Sequence, residues 1–84
     1  MFFEAIFQPK KLKGYKSKVR SLVGKNIPIV EGWIIKEGPH EGQHCFYIPN
    51  STVGVIPACD LKEIKPVSNA KWKEMHNSLE LENL

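Results

Sequence analysis

Residues 54–64, Gly54-Val55-Ile56-Pro57-Ala58-Cys59-Asp60-Leu61-Lys62-Glu63-Ile64, restrict the fold more than any other stretch of the chain. Proline fixes its own φ and has no N–H to give to a ladder, so Pro57 marks the end or the edge of a paired strand. The stretch reads as a short strand stopped at Pro57, one tight turn of helix, and a last short strand. Two strands joined through one helical turn form the kind of corner that a small barrel needs.

The size of the chain limits what that corner can belong to. Eighty-four residues make one domain with a single compact core. With 42% hydrophobic and 25% charged residues the composition is that of a globular protein rather than a disordered one. The start Met1-Phe2-Phe3-Glu4 has no positive region followed by an apolar run, and no segment approaches the roughly 20 apolar residues of a membrane span. A cytoplasmic protein with no membrane partner is therefore expected. Cys45 and Cys59 are too few for a disulfide scaffold and are expected as buried thiols of a reducing compartment, although the count also allows one bridge.

The net charge of +3 is unevenly spread. Residues 1–25 hold Lys10, Lys11, Lys13, Lys16, Lys18, Arg20 and Lys25 against Glu4 alone, a net +6, whereas the remainder holds five basic and eight acidic side chains, a net −3. Such asymmetry points to an anionic partner for the basic part.

Phe2-Phe3-Glu4-Ala5-Ile6-Phe7 is rich in aromatic and β-branched residues and runs into Gln8-Pro9, as expected of a strand stopped by proline. Residues 10–21 follow with no two-residue or sustained helical apolar period and with Gly14 near their middle, which predicts a long hairpin-like loop. Charge runs are commonly solvated faces. The alternative is a binding loop, in which Lys10, Lys11, Lys13, Lys16, Lys18 and Arg20 attract phosphates or carboxylates and Tyr15 offers a stacking face.

Gly24-Lys25-Asn26 supplies a turn, and Ile27, Ile29 and Val30 supply the next strand. The apolar alternation shifts at Glu31-Gly32, which predicts a bulge before the strand continues through Trp33 and Ile34. Trp33 is expected in the core or as a lid over it rather than as a ligand platform. After the tight loop Gly38-Pro39-His40-Glu41-Gly42, residues 43–48 alternate as a half-buried strand, and Pro49-Asn50-Ser51-Thr52 turns toward Val53.

Taken in order, these segments resemble a Src-homology-three (SH3-like) domain over about residues 3–64. Ala5-Ile6-Phe7-Gln8-Pro9 is similar to the alanine-leucine-tyrosine-aspartate-tyrosine signature that opens the family, and Gly54-Val55-Ile56-Pro57 is similar to its closing Gly-x-apolar-Pro. The resemblance implies a mainly β fold: a small five-stranded SH3-like barrel, with a one-turn 3-10 helix before the last strand and a C-terminal α-helix. Residues 1–65 would form the barrel and residues 66–84 a helical extension packed on it. A chain that is almost all barrel looks like the free-standing accessory domains of bacteria and their phages.

The same resemblance implies a groove, with departures. Phe7 stands where the family's first ligand-contacting tyrosine stands, keeping the ring and losing the hydroxyl. Gly42-Gln43-His44-Cys45 falls on a Gly-polar-Trp-Trp segment, so His44 replaces the tryptophan that walls the groove. Pro57 is retained, but Cys59 and Asp60 replace an asparagine and a tyrosine. Polyproline recognition needs parallel aromatic walls, so ordinary proline-rich ligands are not expected. The family's first loop is usually acidic, and here its sign is reversed.

Catalysis and metal binding are not expected. His40, His44, Cys45 and Cys59 match no common zinc spacing, and the adjacent His44 and Cys45 point to opposite faces of a strand. A cysteine nucleophile would have to be Cys59, with Asp60 beside it and His44 across the groove. Phosphate-binding, dinucleotide and metalloprotease motifs are absent, and no cofactor is implied.

Beyond Lys65-Pro66-Val67, Ser68 or Asn69 can cap a helix through about Leu81, with Trp72, Met75 and Leu79 on one face. That stripe is expected to pack on the barrel rather than to serve a partner helix or a second copy, and no homodimer is predicted. The functional expectation is a non-catalytic interaction protein whose face, built from the basic loop, Phe7, Tyr15, His44, Pro57 and Asp60, holds an acidic protein segment. Nucleic-acid binding through the same loop is the alternative, and a cysteine-dependent enzyme a minor one.

Overall fold

The computed structural model describes residues 2–51 and 53–79, with every side chain except that of Lys18. It is mainly β. Five strands, β1 (Phe2–Phe7), β2 (Asn26–Ile34), β3 (His44–Tyr47), β4 (Ile56–Pro57) and β5 (Leu61–Pro66), form one antiparallel sheet in the order β4-β3-β2-β1-β5. One helix, α1 (Asn69–Ser78), follows. Because β1 is paired on both sides, the β-rich opening segment lies inside the sheet, with Phe2 opposite Val30 and Phe7 opposite Leu61.

The sheet has to curl. β4 and β5 are its two edges, which in a flat five-stranded sheet would lie about 19 Å apart, four spacings of about 4.8 Å. They are joined by the three-residue 3-10 helix Ala58–Asp60, which advances only about 6 Å. The chain can make that step only if the edges approach each other. Among the described residues no ladder joins β4 to β5, so the sheet is curled and open along that seam.

The concave side holds the core. Phe7, Ile27, Ile29 and Ile56 are completely buried, and Phe46 and Leu61 nearly so. Burying each such side chain contributes roughly 1.5–3 kcal/mol. Leu61, the first residue of β5, is the apolar side chain that closes this core, while Ile64 is exposed. Pro28 sits within β2 opposite Glu4, but the β2–β3 pairing begins only at Val30, so its missing N–H interrupts no described ladder bond with β3.

Several local expectations need correction. The second half of the basic loop is not irregular: Ser17–Leu22 form a 3-10 helix. With three residues per turn, Val19 and Leu22 share one face, and both are buried in the core. Two apolar positions three apart are too few to register as a helical period. β4 is shorter than expected because Gly54, at φ +83°, and the exposed Val55 stand outside it. The strand of residues 43–48 does not simply alternate, since Cys45 and Phe46 are both buried. Phe46 faces the core, whereas Cys45 fills the space beside Gly32, where an added Cβ would lie 2.9 Å from its Sγ. The β2–β3 register shifts between Glu31 and Ile34, where the bulge was expected. Trp33 is neither core nor lid: it is 55% exposed.

The helix α1 is capped by the Ser68 hydroxyl, which accepts the Lys71 amide at 3.3 Å. Its expected continuation to Leu81 runs into residues 80–84, outside those described, as does Thr52 in the turn after Pro49. Trp72 is buried, donates its indole N–H to the Ile29 carbonyl at 3.0 Å and packs on Phe2 at 4.9 Å. Met75 is half-buried, and the stripe gains a member in His76, which stacks on Trp72 and donates from Nε2 to the Pro49 carbonyl at 2.9 Å. Lys71 and Lys65 approach the buried Glu4 carboxylate, which also accepts the Asn26 amide at 2.9 Å.

The two parts of the Trp72 interaction separate by substitution. Trp72→Phe, which leaves the Ile29 carbonyl without its donor but keeps an apolar ring, is expected to cost about 1 kcal/mol. Trp72→Ala is expected to cost about 3–5 kcal/mol. Urea unfolding midpoints of the full chain measure both. Equal losses would mean that the ring volume contributes nothing.

Candidate functional site

A groove of about 510 Å³ opens where the basic loop, the Gly38–Gly42 turn and the β4–β5 corner meet. Lys10, Lys11, Lys13 and His40 supply its charged and polar rim, and Tyr15, Pro39, Val55 and Pro57 its apolar surface. Cys59 and Asp60 stand at the corner. This volume lies within the usual range for sites that take a peptide side chain or a small molecule.

Asp60 anchors the groove. It is only 8% exposed, and its Oδ2 accepts the Tyr15 hydroxyl at 2.6 Å across 45 residues of sequence. Burial first, and then the hydrogen bond to Asp60, push the Tyr15 hydroxyl far above its ordinary value. The group is thus a permanent donor at neutral pH and ties the basic loop to the corner. Tyr15 also packs edge-on against Phe7, with ring centroids 5.2 Å apart at 87°.

The corner orients its side chains by its own period. A 3-10 helix turns about 120° per residue. With Asp60 directed inward to Tyr15, Cys59 one position earlier is exposed. Its Sγ lies 3.6 Å from His40 Nδ1 and 3.6 Å from Asp60 Oδ1, and its backbone N–H donates to the Gln43 side-chain carbonyl at 3.2 Å. Cys59 as a buried thiol is therefore corrected, whereas Cys45 is buried.

Of the residues expected to form a binding face, Lys10, Lys11, Lys13, Tyr15, Pro57 and Asp60 line this groove. Phe7 does not. It is completely buried beneath Tyr15, because a ring without a hydroxyl gains by full burial, whereas tyrosine keeps a polar end that needs a partner. His44 is also elsewhere: exposed on β3, it pairs with Ile34 in register and its Nδ1 lies 3.8 Å from Glu31. The histidine beside Cys59 is His40, carried in by the Gly38–Gly42 turn. Neither Lys16 nor Arg20 lines the groove, and the Lys18 side chain lies outside the described residues. Pro57 lines the groove although it is itself buried.

Next to this groove lies a shallower one of about 280 Å³, lined by Trp33, Tyr47, Ile48, Ser51, Gly54 and Val55. Trp33 and Tyr47 are tilted toward each other at 6.3 Å, and Val55 lines both grooves. With Trp33 expected in the core or as a lid, this second surface is missed from sequence, although the expected irregularity at Glu31-Gly32, seen as a register shift between Glu31 and Ile34, lies beside it.

Compared with protein-family models, with curated proteins and with solved structures, the chain matches none.

Removing the Tyr15 hydroxyl strands a buried carboxylate. Tyr15→Phe is expected to cost about 1.5–3 kcal/mol, read from urea unfolding. The pH dependence has a definite sign. Because the Tyr15 hydroxyl in the folded chain ionises well above the unfolded value of about 10, its contribution is complete below about pH 10 and is lost as the pH rises beyond it. In a tyrosinate absorbance titration of the folded chain, Tyr15 should stay silent at a pH where it ionises in the unfolded chain. Ionisation of Tyr15 near pH 10 in the folded chain would contradict the buried Asp60 contact.

Proposed function

We propose that the protein is a non-catalytic interaction domain, a curled SH3-like barrel whose lysine-rimmed groove holds an acidic segment of another protein. The barrel part of this reading is supported by the strand order, which places β1 beside β5, and by the 3-10 corner that draws the two sheet edges together.

The observation that carries the ligand class is the combination of Lys10, Lys11 and Lys13 with an apolar surface of Tyr15, Pro39, Val55 and Pro57 in one groove. Charge alone would suit any polyanion. An apolar floor is matched by a peptide that carries apolar side chains beside its carboxylates. Nucleic acid would instead stack bases on an open aromatic face beside the lysines, and within this groove Tyr15 has one side against Phe7 and its hydroxyl committed to Asp60. The neighbouring Trp33–Tyr47 groove shares Val55 with this one and offers further apolar surface to a ligand in extended conformation.

Fluorescence polarisation with labelled peptides alternating glutamate with leucine or proline tests the reading against single- and double-stranded oligonucleotides. Exposed ion pairs contribute about 0.5 kcal/mol each, so three of them amount to roughly tenfold in affinity. Lys10→Glu/Lys11→Glu/Lys13→Glu should weaken peptide binding by at least that factor. Salt separates the ligand classes. Three lysines on three phosphates of a duplex lose about 40-fold between about 50 and 200 mM salt, whereas a peptide seated on the apolar floor keeps most of its affinity. Absence of peptide binding at low salt, or binding untouched by the triple variant, would reject the proposal, and tight oligonucleotide binding with the steep salt slope would replace it.

A further inference from the structure

We propose that Cys59 is a reactive thiol that exchanges with small carboxylate-bearing disulfides, so that the groove is also a site of reversible covalent modification. The side chain is exposed, it faces a groove large enough to admit a reagent, and its Sγ lies 3.6 Å from His40 Nδ1. The thiolate is the nucleophile in disulfide exchange, and a neutral imidazole nitrogen at that distance is placed to take the thiol proton. The opposing influence is Asp60, whose Oδ1 accepts the Cys59 S–H at 3.6 Å, so the proton must turn from the carboxylate to His40 before exchange. Part of that carboxylate's charge is engaged by the Tyr15 hydroxyl at Oδ2, while Lys10, Lys11 and Lys13 line the same groove. The positive rim therefore selects among reagents: a disulfide that carries carboxylates, as glutathione disulfide does, is drawn in ahead of a neutral one.

The exchange balances without a further oxidant. The Cys59 thiol gives its proton to His40 Nδ1, and the sulfur attacks one sulfur of the disulfide R–S–S–R. The S–S bond of the reagent breaks as the Cys59–S–S–R bond forms. The second R–S⁻ leaves as a thiolate and takes the proton back from the imidazolium as R–SH. A free thiol reverses the reaction by the same path.

Cys45 provides the internal control. It is completely buried, its sulfur accepts the Trp33 amide at 3.4 Å, and the Gly32 backbone packs against it. The exchange itself does not depend on the acidic-segment reading. The preference for anionic reagents shares the lysine rim with that reading, and the experiment keeps the two apart.

Adduct formation is followed by intact-mass and peptide-mass analysis with glutathione disulfide and, as the neutral reagent, bis(2-hydroxyethyl) disulfide. In the folded chain one adduct is expected, on Cys59, with Cys45 modified only in denaturant. Toward the neutral disulfide, Cys59 of the folded chain should react on the order of tenfold faster than in denaturant at the same pH, and His40→Ala should remove that advantage. Circular dichroism shows whether the variant keeps the native fold, and His40→Asn serves as a second, smaller change. Toward glutathione disulfide a further preference of about tenfold is expected, lost in Lys10→Gln/Lys11→Gln/Lys13→Gln and in about 0.5 M salt, where screening acts within about 4 Å. A Cys59 that reacts no faster folded than unfolded, or whose rate ignores His40, overturns the reactive-thiol proposal. Retained reactivity with no preference for glutathione disulfide overturns the anionic selection alone, and the acidic-segment reading is decided separately by the peptide titration.

Discussion

The three-residue link between β4 and β5 is the constraint on which the rest of this structure depends. It joins the two edges of one sheet by a path much shorter than the width of the sheet laid flat, so the sheet has to curl around its apolar face. Curling brings the first loop over the corner, where Tyr15 meets Asp60. The hydrogen bond between them answers a cost that the corner itself creates, since a carboxylate drawn inward at a tight turn has lost water and needs a donor. A tyrosine hydroxyl pushed far above its ordinary range supplies one that does not titrate at neutral pH.

The groove follows from this geometry. With the loop fastened at Tyr15, the lysines before it lie along the rim, and the turn period that sends Asp60 inward sends Cys59 outward beside His40. Binding of acidic segments and thiol exchange would thus share one cleft, the first using the lysines and the apolar floor, the second using the sulfur at its end. The helix α1 packs at a separate place, where Trp72 and His76 bind carbonyls of β2 and of the turn after β3.

Much of the fold was legible in local pattern. Strand β1, the bulge in β2, the one-turn 3-10 helix after Pro57 and the Ser68 cap each rest on residues whose backbone preferences are local: β-branched runs, proline, glycine and a capping hydroxyl. The 3-10 helix Ser17–Leu22 was not, because only Val19 and Leu22 mark it and both owe their burial to distant strands. The site was legible in part. Lys10, Lys11, Lys13, Tyr15, Pro57 and Asp60, put on one face by the resemblance, line one groove, whereas Lys16 and Arg20 do not, and Phe7, His44, Trp33 and Cys59 were assigned the wrong exposure or neighbours. Phe7 is held in the core by its place in β1, and Tyr15 from the loop packs edge-on against it with its hydroxyl on Asp60.

By itself, then, the sequence determined strand β1 and its stop, the bulge in β2, the corner at Pro57 and the concentration of positive charge in the first 25 residues, because these depend on torsional preference and residue type within a few positions. Only the tertiary structure decided that His40 rather than His44 stands beside Cys59, that Trp33 faces solvent and that Tyr15 holds Asp60. Those pairings join residues 19 and 45 positions apart, and their distances are set by how far the whole sheet curls. What the closing stretch contributes is therefore twofold: its local preferences make the corner, and the curl that the corner imposes makes the cleft.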